Sequence, residues 1–235
     1  MQKYIIALFA VLVTGIYAQA ADTVAISTAK PAQSAANLYY AADQSVLIMP
    51  TAYTMEKGTM AFTDYELAGL QLSRAITHNT HITAAMVFPI TADLIRTFTV
   101  GVKHNYFRSP KVQSALWASY IIDPHFLSIG NILSIGSPQA SVHLGVATGT
   151  DFTHEIKTYI LMLGGMKDLS PRIALLGEII GTNQVLDEEG NGLINIGVRF
   201  KGRDLSWDLG AFRPLNIDDG GELYALPFVK ATYVF

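Results

Sequence analysis

The sequence predicts an all-β chain closed into a transmembrane antiparallel up-and-down β-barrel of about 12 strands. Three observations carry this. Apolar and polar side chains alternate with a period of two over most of the chain after residue 43, while helical periodicity is weak throughout. Charged residues make up only 15% of the 235 residues, where a soluble domain carries roughly 25%. The connections between alternating stretches run long and short in turn, as they do in membrane barrels with short inner turns and longer outer loops. Strand numbers of 10 to 14 are compatible with the same pattern. A chain this rich in apolar residues is not disordered. Without cysteine it is held by neither disulfides nor a Cys–zinc centre. Sixteen basic against nineteen acidic residues make a nucleic-acid partner an unsuitable reading.

The chain divides into three parts. Residues 1–20 read as a secretory signal peptide: Lys3 supplies the positive start, residues 4–16 are apolar and uncharged, and Ala18-Gln19-Ala20 places cleavage after Ala20. That apolar stretch falls short of the ~20 residues a spanning helix needs. Residues 21–43, rich in Ala, Ser and Gln, read as a flexible N-terminal arm. Residues 44–235 read as the barrel.

Twelve strands are expected at residues 59–66, 70–76, 81–88, 97–105, 111–121, 126–135, 140–148, 156–165, 172–181, 193–201, 204–213 and 222–235. The late strands alternate most clearly. In 193–201, Ile194, Ile196, Val198 and Phe200 share one face, and Asn195, Gly197, Arg199 and Lys201 the other. In 204–213, Leu205, Trp207 and Leu209 oppose Ser206, Asp208 and Gly210. Earlier, Val100 and Val102 oppose Thr99, Gly101 and Lys103, and Val142, Leu144 and Val146 oppose Ser141, His143 and Gly145. The weakest is 126–135, where Ile132 falls among the small and polar residues. Tyr106, Phe107, Trp117, Tyr120, Trp207, Phe228 and Tyr233 fit an interfacial aromatic girdle.

If the apolar faces meet lipid, the opposite faces line a lumen that holds Lys103, Glu178, Arg199, Asp208 and Lys230. The last four lie on four consecutive strands with alternating sign. They suit either a packed polar interior stabilised by cross-strand pairs or a charged constriction that selects a solute.

At the C-terminus, Val229, Ala231, Tyr233 and Phe235 share one face, and Lys230 and Thr232 the other. A final strand ending in Phe with an aromatic two residues earlier resembles the signal read by the barrel-assembly machinery of the bacterial outer membrane. Near the start, Pro50-Thr51-Ala52 followed by Lys57-Gly58, and then Ile76-Thr77-His78-Asn79, is similar to an uncharacterised family of bacterial outer-membrane β-barrel proteins. Ala75 stands where that family carries Gly, and His78 where it carries Asp. The resemblance implies a fold, outer-membrane lipid and the assembly machinery as partners, and location in the bacterial cell outer membrane. It implies no reaction.

Enzymatic motifs are not evident. None of His78, His81, His104, His125, His143 and His154 has Ser two residues later, the spacing of outer-membrane lipases and deacylases. His125 and Ser128 come nearest, on opposite faces. His78 and His81 flank a turn and read as solvent-exposed rather than metal-ligating. The acidic segments 187–192 and 216–222 have oxygen ligands suited to calcium but lack the EF-hand order. No nucleotide-binding loop occurs. The function expected is therefore a non-enzymatic small channel, transport or structural barrel, with no cofactor and no metal. The competing readings are a barrel-embedded lipid hydrolase and a soluble exported β-barrel that binds an apolar ligand.

Overall fold

The computed structural model describes residues 41–66, 69–87, 96–123, 125–152, 157–182, 192–215 and 225–235. The signal peptide and its cleavage point, residues 21–40 of the arm, His154, and nearly all of both acidic segments lie outside the described residues.

Twelve strands form one closed antiparallel barrel. They are β1 (Met60–Tyr65), β2 (Gly69–Ala75), β3 (Thr80–Val87), β4 (Thr99–Arg108), β5 (Val112–Ile121), β6 (Phe126–Ser137), β7 (Ala140–Asp151), β8 (Lys157–Ser170), β9 (Ile173–Thr182), β10 (Gly192–Lys201), β11 (Leu205–Leu215) and β12 (Leu226–Val234). Each strand pairs with its neighbours in sequence, and β1 closes the cylinder on β12 through Phe62↔Tyr233 and Asp64↔Ala231. The weak alternation of β6 still makes a full strand, in register with β5 and β7 along its length.

Side-chain alternation sorts outside from inside. Leu144, Val146, Leu161, Ile196 and Leu209 stand on the outer wall, each about half exposed. Lys103, His143, Arg199, Asp208 and Lys230 on the inner wall are inaccessible. This is the reverse of a soluble domain, where charge faces water and leucine faces the core.

The structure departs from the sequence reading in four places. Residues 42–55, divided in the sequence reading between the flexible arm and the barrel, form no barrel strand and instead occupy the lumen. β8 runs on to Ser170 through an irregularity between Asp168 and Ser170, so the turn expected there is only Pro171-Arg172. Trp117 and Phe228 are buried on the inner wall and do not belong to an aromatic girdle. Trp117 can face inward because Gly130 opposite leaves room: a Cβ there would stand 2.6 Å from the indole. His81, expected in solvent, is buried. Tyr106, Phe107, Trp207 and Tyr233 are exposed on the outer wall, the first two together because a bulge interrupts the β4–β5 register between Asn105 and Phe107.

Candidate functional site

The candidate site is the lumen, and its centre is a hairpin of the chain itself. A short 3-10 turn (Ala41–Gln44) leads to Ser45, which bridges Pro50 across the loop. Within the loop, the Val46 N–H donates to the Met49 carbonyl at 2.8 Å. The returning leg runs through residues 51–55 and leaves the lumen before Gly58. At Gly58 φ is +89°, a conformation that glycine adopts without steric cost, and the Gly58 N–H donates to the Ala75 carbonyl. Proline at position 50 and the absence of alternation explain why this segment joins no ladder.

The hairpin backbone exposes donors on one side and acceptors on the other, and the wall answers each. Glu178 on β9 accepts from three consecutive N–H groups, those of Leu47, Ile48 and Met49, each at 2.9 Å. Successive N–H groups converging in this way form an anion-binding concavity, and here the anion is a side chain of the same protein. Asn195 on β10 donates to the same carboxylate. Arg199, also on β10, donates to the Ser45 and Val46 carbonyls at 3.0 and 2.6 Å and to Asp43 at 3.2 Å. Its Nε, together with the Nη2 that also faces those two carbonyls, forms a two-point pair with Asp208 on β11 at 2.7 and 2.8 Å. Lys230 on β12 reaches Asp208 at 2.7 Å, the Leu47 carbonyl at 2.8 Å and the Ser45 hydroxyl at 3.0 Å. Lys103 on β4 donates to Gln44 Oε1 and to the Thr51 and Tyr53 carbonyls, at 2.7 to 3.1 Å.

All five residues read from the sequence as lumen candidates are thus brought together around residues 43–53. Asp43 completes the set: three acids (Asp43, Glu178, Asp208) face three bases (Lys103, Arg199, Lys230), all of them buried. Charges this deep are tolerated only when paired and hydrogen-bonded. Without the hairpin the wall residues would carry one surplus cation.

Other wall groups hold the returning leg. Asn105 donates to the Ala52 carbonyl, and the Ala52 N–H donates to Ser134 Oγ, both at 2.8 Å. The Met55 N–H donates to His81 Nε2 at 2.9 Å, and the Thr54 hydroxyl to the His78 carbonyl at 2.8 Å. Val46, Leu47, Ile48 and Met49 join one luminal apolar cluster with Trp117, Ile132, Met162, Ile180, Leu193, Phe212 and Phe228 from the wall. Two wall glycines receive the tip. A Cβ at Gly164 would stand 2.9 Å from the Met49 sulfur, and one at Gly197 3.0 Å from Leu47.

The sequence reading missed the hairpin. Its signal was the apolar run Val46–Met49 in numbers 46 to 49, too short for a spanning strand and bracketed by Ser45 and Pro50. It also missed a Ser/His cluster, because Ser141 precedes His143 by two residues instead of following it. His143 lies 2.7 Å from Ser134 Oγ and 3.0 Å from Ser141 Oγ. Both ring nitrogens thus engage hydroxyls, all three side chains are buried, and the Tyr53 ring stands edge-on to the imidazole. Ser134 Oγ also receives the Ala52 N–H, so this is a hydrogen-bonded support for the hairpin rather than an accessible nucleophile and base. Among the described residues no group of three His, Asp or Glu is placed to hold a metal ion.

No protein-family model and no curated protein matches this chain. Solved porins do. A Rhodopseudomonas blastica porin triple mutant is similar at 10% identity and a TM-score of 0.39, over 71% of this chain and 55% of that one. Pseudomonas aeruginosa OccK10 (OpdN) is similar at 11% identity and the same score, over 71% of this chain and 59% of that one. The chain therefore spans little more than half the length of either. The closed twelve-strand architecture rests on this chain's own strand pairing.

Proposed function

We propose that this protein is a bacterial outer-membrane β-barrel with a sealed lumen, a structural barrel closed by its own N-terminal hairpin rather than a standing pore. One observation carries the reading: every luminal charge named above is engaged by the backbone or side chains of residues 43–53 or by another wall charge, so that among the described residues these charges form no ring open to a solute. The apolar layer around Leu47–Met49 in positions 47 to 49 adds a second seal. Membrane location is supported by the apolar outer wall and by strands β4 to β12 of nine or more residues, the length a tilted bilayer strand needs; β1 to β3 have six to eight. Export by a signal peptide cleaved after Ala20 belongs to the same reading, with the short turns and both termini of the barrel chain on the periplasmic side. The outward face of Val229, Ala231, Tyr233 and Phe235 would be presented to the assembly machinery before β12 pairs with β1.

Planar-bilayer recording tests closure. Wild-type protein is expected to give no steady conductance, and a steady open-state current would overturn the proposal in favour of a channel with a charged constriction. Detergent-phase partition and heat-modifiable gel mobility test the membrane reading; mature protein that stays in the aqueous phase would refute it.

A further inference from the structure

The two sets of segments that link the strands differ in charge. The connections at the end remote from both barrel termini (residues 66–68, 88–98, 122–125, 152–156, 183–191 and 216–225) contain ten acidic residues and one basic residue, Arg96. At the opposite end basic residues outnumber acidic ones, five exposed cations standing against the exposed Glu56 and the half-buried Asp204. Lys57 precedes β1, Lys111 lies between β4 and β5, Arg172 between β8 and β9, and Arg203 between β10 and β11. Lys167 faces outward near the same end of β8. All five are exposed, and none forms an ion pair among the described residues.

We propose that this basic rim binds the anionic headgroups of phospholipids in the leaflet that surrounds the turn end. The inference rests on the membrane reading above and adds a lipid class to it. The placement of the cations selects the occupant. They are spread around the circumference, before β1, between β4 and β5, on β8, between β8 and β9 and between β10 and β11, and are not gathered on one side as a docking protein would require. They also sit at the edge of the apolar wall: Leu169 follows Lys167 by two residues, Leu205 follows Arg203 by two, and both leucines are exposed. Long cationic side chains at that boundary keep their stems on apolar surface and their charges in the headgroup layer. Each cation close to an anionic leaflet favours it about fivefold.

The test incorporates the full chain into bilayer discs of equimolar phosphatidylcholine and phosphatidylglycerol, extracts it gently and counts retained lipids by native mass spectrometry. Wild type is expected to retain phosphatidylglycerol over phosphatidylcholine by about fivefold or more. The variant combining Lys111→Gln, Lys167→Gln, Arg172→Gln and Arg203→Gln is expected to retain the two equally. Heat-modifiable mobility checks that it folds; if it does not, the pairs K111Q/K167Q and R172Q/R203Q are each expected to lose part of the preference. Equal retention by wild type, or an unchanged preference in folded variants, overturns the proposal. So does displacement of the lipid by millimolar glycerol 3-phosphate or by polyglutamate, which would assign the rim to a soluble anion or an acidic polymer. Failure of wild type to enter the discs at all would refute the membrane reading instead.

Discussion

Replacing Glu178 by alanine removes the acceptor for three buried N–H groups at once. The Leu47, Ile48 and Met49 amides, each 2.9 Å from the carboxylate, have no other wall acceptor in place. A buried donor stripped of its partner costs about 1–3 kcal/mol, so the unrelaxed loss is about 3–9 kcal/mol. Water entering the space left by the side chain recovers part of this, and about 3–5 kcal/mol is expected. The change also leaves the three luminal bases facing two acids. With a urea m-value of roughly 2 kcal/mol/M, the unfolding midpoint falls by about 2 M. Glu178→Gln keeps one acceptor oxygen and the side-chain volume, so a loss of about 1–3 kcal/mol is expected. The assay is urea unfolding of the membrane-inserted protein, followed by loss of heat-modifiable mobility, with chymotrypsin cleavage at Tyr53 as a separate measure of hairpin release. A Glu178→Ala midpoint within about 0.3 M of wild type, with Tyr53 still protected, would refute the claim that this carboxylate anchors the hairpin.

Three further outcomes follow from the same geometry. Lys103→Met keeps the aliphatic stem but leaves Gln44 Oε1 and the Thr51 and Tyr53 carbonyls without their shared donor; urea unfolding should show a loss of about 1–3 kcal/mol. Arg199→Lys keeps the charge but cannot serve Asp208 at two points while also reaching Asp43, Ser45 and Val46; the same assay should show a loss of about 2 kcal/mol. Gly164→Leu drives a side chain into Met49 and Val46 rather than into the wall, so chymotrypsin should cut at Tyr53 while heat-modifiable mobility persists. Gly164→Ala, which needs the flexible Met49 end to move and Val46 Cγ2 at 3.1 Å to give by a few tenths of an ångström, should leave Tyr53 protected.

The barrel was legible because a membrane strand records both of its environments residue by residue. Val198 and Phe200 on one side of Arg199, and Leu209 beside Asp208, already separate outer from inner wall, and loop lengths supply the strand count. The interior aromatics were not legible in this way. Trp117 occupies an inward position because Gly130, thirteen residues later and on the adjoining strand, leaves space for its ring. That accommodation exists only once the register is set.

Local pattern therefore determined the strands, their inward charges and the even, closed architecture, since two-residue periodicity needs no knowledge of distant neighbours. What fills the barrel was decided by tertiary structure alone. The apolar run 46–49 has no periodicity that distinguishes a loop from a plug. Its partner Glu178 lies more than 120 residues away. The meaning of the luminal charges changed accordingly. Lys103, Glu178, Arg199, Asp208 and Lys230 are compatible in sequence with a pore lining, yet in the folded chain they satisfy a hairpin backbone that no strand ladder completes. Buried donors and acceptors must find partners wherever the chain places them, and those that the hairpin does not satisfy within itself find them across the closed barrel.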